Sequence, residues 1–229
     1  PSLLGLQLTF FTANLFAGLA FAVLAPMLLA RTGNNEAIFG AVQSIGAVGG
    51  IIGGVVMSAW GGFRRRVHGI LGGWIITGIV GILFLGLSTT LLTWGICIFI
   101  GSFLGPIMNG SSQAIWQSKV PPDLQGRVFS ARRLIAWFAG PITALIAGPL
   151  ADFVLEPQMR LASSPLATSL GWLVGTGPGA GMALIFVISG ALATVVGVAG
   201  YLNPVVRNAE DLIPDHDAAP TVPAAAAAD

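Results

Sequence analysis

IFGAVQSIGAVGGIIGGVVMSAW (Ile38–Trp60) contains no charged residue and is long enough to cross a bilayer, for which about 20 apolar residues suffice. Its apolar run is continuous. A barrel strand would alternate polar and apolar residues over about ten positions. Runs of the same kind occur six times, at residues 3–30, 38–60, 70–87, 91–116, 134–154 and 182–202. The predicted fold class is an all-α membrane protein with six transmembrane helices in one domain, residues 1–203. Residues 204–229 read as a polar, Ala/Pro-rich tail. Its last dozen residues lack the hydrophobic density to fold.

Composition agrees. The chain has 229 residues, 55% hydrophobic and 8% charged, against about 25% charged in a soluble domain. So few charges cannot cover a water-facing surface of this size. The net charge of +1 excludes nucleic acid as an expected partner. The single cysteine, Cys97, allows neither an internal disulfide nor a thiolate metal site. His68 and His216 both fall in polar segments, so no histidine is expected at membrane depth. That removes paired-histidine haem, zinc-dependent membrane proteases and a serine–histidine dyad. No catalytic residue, metal or cofactor is expected; the expected partners are the lipid bilayer and a small-molecule substrate. The chain begins at Pro1 and is apolar from Leu3, without the basic stretch of a signal peptide. It reads as a piece whose N-terminal portion lies elsewhere.

Lysine and arginine set the orientation. One group of loops holds Arg64, Arg65, Arg66, Lys119, Arg127, Arg132, Arg133 and Arg207, and the opposite group holds only Arg31 and Arg160. The first group is expected in the cytoplasm, with both chain ends on that side. Tryptophans favour the interface. Trp60, Trp74, Trp116 and Trp137 fall near the basic boundary, and Trp94 and Trp172 near the other.

Within the apolar runs, carboxamides gather on two helices. The first carries Gln7 and Asn14, seven apart and so on one face. The fourth carries Asn109, Gln113 and Gln117, stepping by four. Gln43 lies on the second. A carboxamide facing lipid is costly, so these faces should turn toward a protein interface or a water-filled cavity. Gln7, Asn14, Gln43, Asn109 and Gln113 are therefore the candidate substrate-binding residues. Pro106 removes a backbone hydrogen bond inside the fourth helix and is expected to kink it. Gly46, Gly50 and Gly54, flanked by Gly49 and Gly53, form a small-residue stripe for close helix packing. No acid lies well inside a run: Asp152 is expected at a helix end, and Glu36 and Glu156 in loops. The arginines Arg64, Arg65, Arg66 and Arg127 are candidate gating residues in cytoplasmic loops. The Asn109-Gly110-Ser111-Ser112 stretch is the only support for an intramembrane serine protease, and no base stands nearby to activate a serine. A non-transporting scaffold or sensor is the other alternative.

Three stretches carry a family resemblance. They are NGSSQAIWQSKVPPDLQGRVFSARR (Asn109–Arg133), GWLVGTGPGAGMALIF (Gly171–Phe186) and NPVVRNAEDLIPDHD (Asn203–Asp217). With six spans and a glycine–arginine loop after the second, the chain resembles the C-terminal half of a major facilitator superfamily transporter. It is most similar in character to the bacterial macrolide-efflux branch. The resemblance implies half of a twelve-helix fold, partnered by an N-terminal six-helix half. It also implies a bacterial inner-membrane location and proton-coupled export of amphiphilic drugs by alternating access. In that superfamily the first and fourth helices of each half line the central cavity, the two that carry the carboxamides here. The loop Gly61–Gly69 resembles the family's glycine–acid–basic signature, but the acid is absent, with Ser58 and Trp60 in its neighbourhood.

Overall fold

Proline decides where the first helix bends. The ring of Pro26 clashes with a carbonyl four residues back, and the helix breaks there. Ser2–Ala22 and Leu24–Arg31 are separate pieces joined at Val23, whose N–H turns back to the Ala20 carbonyl at 3.1 Å. A computed structural model describes residues 2–161 and 163–216. Among these residues the regular structure is helical, with no strand. Six helical spans are long and apolar enough to cross a membrane: Ser2–Arg31, Glu36–Trp60, Arg66–Leu87, Leu91–Lys119, Pro122–Arg160 and Ala180–Leu202, numbered 1 to 6 below. The fourth runs on through Pro106 as one helix.

The fifth span departs from the expected loops at both ends. It begins at Pro122, so only Val120 and Pro121 separate it from span 4. Proline fits the first helical position, where its missing N–H has no partner to lose. Asp123 in the first turn suits the positive end of the helix dipole. Arg127, Arg132 and Arg133 therefore ride on a helix, not in a loop. A hydropathy reading ends the helix where the apolar run ends, but backbone hydrogen bonding does not stop there. At its other end the span passes through a wide π turn, Leu150–Leu155, into Glu156–Arg160. Glu156, expected in a loop, is helical and only 5% exposed. Farther on, Pro165–Val174 forms a short helix, capped by the Ser164 hydroxyl accepting from the Ala167 N–H at 3.1 Å, with Trp172 exposed.

Span 2 packs along span 4, span 1 against spans 5 and 6, and span 3 against spans 4 and 6. Glycine sets the closest approaches. A Cβ at Gly49 or Gly53 would run into the backbone of Phe99 or Phe103. The buried stripe is thus Gly46, Gly49 and Gly53, spaced three and four as a straight helix requires. Gly50 and Gly54 are less buried and line a shallow surface groove with Ile51 and Val55. The core between the spans is apolar, with edge-to-face pairs Phe10–Trp74 (5.7 Å) and Phe21–Phe186 (6.1 Å).

At the basic end, the segment after span 6 folds back as a strap. Pro204–Arg207 and Ala209–Leu212 are short helices. Lys119 donates to the carbonyls of Glu210 and Ile213, both at 2.6 Å, and pairs with Asp215 at 2.8 Å. The Glu210 carboxylate accepts from the Val67 N–H at 3.0 Å, at the start of span 3, and Asp211 pairs with Arg65. Two acids of the segment after span 6 thus contact the Gly61–Gly69 loop, which carries no acid of its own. The alanine-rich end, expected to lack structure, lies outside the described residues.

Candidate functional site

Between spans 1, 4 and 5, toward the basic end, lies a half-open cavity of about 660 Å³. Gln7 reaches it from span 1, Asn109 and Gln113 from span 4. Phe129, Ser130, Arg132, Arg133 and Ala136 come from span 5. Spacings of three and four along span 5 put these side chains on one helical face. Gln7 is 9% exposed within the chain, while Asn109 and Gln113 are open. Asn109 donates to the Gly105 carbonyl of its own helix at 2.9 Å.

Arg132 organises the polar end. Its Nε donates to Gln7 Oε1 at 3.0 Å and an Nη2 hydrogen to the Ser112 hydroxyl oxygen at 2.9 Å. The guanidinium lies over the Trp116 ring, 4.4 Å from its centroid. Planar stacking and a forked donor set are what arginine offers and lysine does not. Both hydrogen-bond acceptors are neutral. None of the ion pairs among the described residues involves Arg132. A guanidinium half withdrawn from water, with neutral partners and an open cavity beside it, attracts an anionic or strongly dipolar group.

Three of the five candidate binding residues, Gln7, Asn109 and Gln113, come together in this cavity. Asn14 donates to the Phe10 carbonyl of its own helix at 2.8 Å and is not among the cavity's lining. Gln43 borders a different pocket, with Phe21, Leu24, Gly46 and Ser102. Arg127 is exposed near the start of span 5. Arg64 is exposed in the loop before span 3. Arg65 and Arg66 are held locally, Arg65 by Asp211 and Arg66 by the Ala114 carbonyl at 3.2 Å. Arg132 was absent from the sequence-based candidates because it was counted as a loop charge. The signal was present: Phe129 and Arg132, just before the apolar run, and Ala136, within it, recur at helical spacing.

The chain is similar to bacterial drug-efflux proteins. Over 165 residues it is 26% identical to macrolide efflux protein A of Streptococcus pyogenes, covering 68% of this chain and 39% of that protein. Over 117 residues it is 30% identical to the multidrug efflux pump Tap of Mycolicibacterium fortuitum, covering 48% of this chain and 26% of that protein. The chain thus covers about two fifths of the length of the first efflux protein and about a quarter of the second. No protein-family signature matches it, and no solved structure matches it. Likeness to two efflux proteins, together with six helices long and apolar enough to cross a membrane, marks the chain as a multi-pass membrane protein.

Proposed function

We infer that the chain forms one wall of a secondary active exporter of amphiphilic small molecules, macrolide-like drugs among them, and is not an enzyme. The observation that carries this reading is the cavity itself. Carboxamides and an arginine, which lipid would not tolerate, stand together with Phe10 and Phe129 in one opening. A permissive site for amphiphiles needs that mixture of apolar wall and few oriented polar groups. The similarity to macrolide and multidrug efflux proteins supports the same reading. The basic end faces the cytoplasm of a bacterial inner membrane, as the positive-inside rule requires, so the cavity loads from inside. A second six-helix half completes the pathway, and the two rock about the site in alternating access.

The export is driven by protons, and the titrating carboxylate belongs to that second half. Among the described residues, Glu36, expected in a loop, and Asp123 stand in the first turns of spans 2 and 5, Asp152 and Glu156 in and just after the π turn late in span 5, and Glu210, Asp211 and Asp215 in the strap. The experiment is flux of a fluorescent macrolide in proteoliposomes of the full-length protein under an imposed proton gradient. Substrate-dependent flux that collapses with the gradient is expected. Flux indifferent to the gradient removes proton coupling, and no flux of any amphiphile removes the transport reading.

A further inference from the structure

Spans 1 and 4, which line the cavity at the basic end, also line a second pocket toward the opposite end. Its volume is about 560 Å³, in the range of small-molecule sites. Phe21 reaches it from span 1 and Ser102 from span 4, and span 2 contributes Gln43, Gly46, Ala47 and Gly50. Their spacing of three and four puts the last four on one helical face. Gly46 keeps the floor open, since a Cβ there would stand 3.3 Å from the Ser102 hydroxyl. The two pockets are offset along the helices. Phe21 lies eleven residues beyond Phe10, and Ser102 seven before Asn109, about 16 Å and 10 Å at the usual helical rise.

Polar groups without partners single this pocket out. Ser44 and Ser58 of span 2 satisfy their hydroxyls locally, donating to the Gly40 and Gly54 carbonyls at 2.8 and 2.9 Å, as serine commonly does inside a helix. Ser102 does not. Among the described residues, neither its hydroxyl nor the Gln43 carboxamide has a hydrogen-bond partner. A carboxamide left to lipid is costly, so polar atoms of another molecule meet this one. A further groove along spans 2 and 4, about 700 Å³, has only apolar residues around it, Ile45, Ile96 and Phe99 among them, and suits lipid tails. No charged residue lines the Gln43 pocket.

We propose that the Gln43–Ser102 pocket is a second, far subsite of the export pathway, which takes the neutral, oxygen-rich face of a macrolide-like amphiphile after it leaves the cavity at the basic end. The Gln43 carboxamide donates to a lactone carbonyl or accepts from a hydroxyl, the Ser102 hydroxyl does either, and Phe21 packs on the apolar part of the ring. Without a guanidinium, this subsite holds the drug less tightly than the first, which favours release on that side. Without any charge, it admits a protonated amine and a neutral analogue alike. The proposal rests on the export reading above and adds a second station to it.

The test uses the fluorescent macrolide of the flux assay and the full-length protein in nanodiscs, where a small maleimide reaches both faces. Ala47→Cys and Gln113→Cys report on the two pockets, each read by mass spectrometry on the peptide that carries it. The macrolide should slow labelling at both positions. Half-protection at position 47 should need about tenfold more drug, because the charge-assisted donors of Arg132 have no counterpart there. Gln43→Leu together with Ser102→Ala should remove protection at position 47, keep it at position 113 and melt as wild type. Ala47→Phe, which fills the pocket from an exposed position, should lower flux several-fold and leave protection at position 113 unchanged. Absence of protection at position 47 overturns the proposal. So does a thiol there that never reacts, since the second half then covers the pocket. Protection lost at both positions together, at wild-type melting temperature, makes the pockets one site and overturns it as well. Proteoliposome flux separates the two levels. Flux with protection at position 113 alone leaves export standing without a far subsite. Protection at both positions with no flux upholds the second pocket and overturns export.

Discussion

Arg31 and Arg132 are both arginines withdrawn from water near the ends of spans, and their surroundings differ in kind. Arg31 donates to three backbone carbonyls, Gly86 at 3.1 Å, Ser88 at 2.8 Å and Val174 at 2.6 Å. It therefore ties the ends of spans 1 and 3 to the short helix Pro165–Val174. Nearby, Glu156 accepts from the Gly179 and Gly181 N–H groups at the start of span 6, and from Arg160 at 3.3 Å. A carboxylate on the first free N–H groups of a helix is also favoured by the helix dipole. That end is a closed network of charge and acceptor. At the other end, Arg132 meets two neutral side chains and an opening. The same side chain serves as a brace where its donors are filled by backbone, and leaves donors beside an open cavity where they are not.

The contrast can be broken by substitution. The largest effect on stability is expected for Arg31→Ala, which strands three carbonyls and removes the positive group near Glu156. Loss of a buried charged partner costs about 3 kcal/mol, so detergent-solubilised protein should melt well below wild type. Glu156→Gln keeps an acceptor but loses the charge, and about 1–2 kcal/mol is expected, read in the same melt. Arg132→Gln should cost under about 1 kcal/mol, because its partner Gln7 keeps access to the cavity, while export falls several-fold. A melt as poor as that of Arg31→Ala would make Arg132 a second brace. The smallest effect concerns the strap. The hydrogen bond from Lys119 holds the Asp215 carboxyl below its usual range. That pairing is therefore complete above about pH 4, the unfolded carboxylate value, and is lost only as pH falls through the lower folded value. Limited proteolysis of the segment after span 6 should be flat from about pH 7 to 5 and rise only below about pH 4.

Much of this was written in the sequence. Six apolar runs correspond to six spans, since hydropathy records what lipid demands of a helix. Gln7, Asn109 and Gln113, selected as carboxamides sharing helix faces, lie together at one cavity, while Asn14, selected by the same spacing as Gln7, does not line it. Arg132 and Glu156 were not selected, for one reason. Both sit on span 5 beyond its apolar run, where the sequence reads as loop and the backbone stays helical. Their roles depend on partners far along the chain: Gln7 is 125 residues from Arg132, and Gly179 and Gly181 are 23 and 25 residues from Glu156. Spacing along one helix cannot reveal such pairs. The acids that serve the Gly61–Gly69 loop escaped for the same reason, since Glu210 lies 143 residues from Val67.

Substrate protection of a cysteine in the cavity tests the assignment most directly. Cys97 is the only cysteine in the chain, so a Cys97→Ala background is clean in this region. Gln113→Cys in the cavity and Ile51→Cys in the shallow groove of span 2 are labelled with an impermeant thiol reagent in inside-out vesicles, with and without a transported amphiphile. The expected result is slower labelling at position 113 when substrate is present, and no change at position 51. Equal labelling at position 113 with and without substrate would contradict the assignment of the cavity as the binding wall.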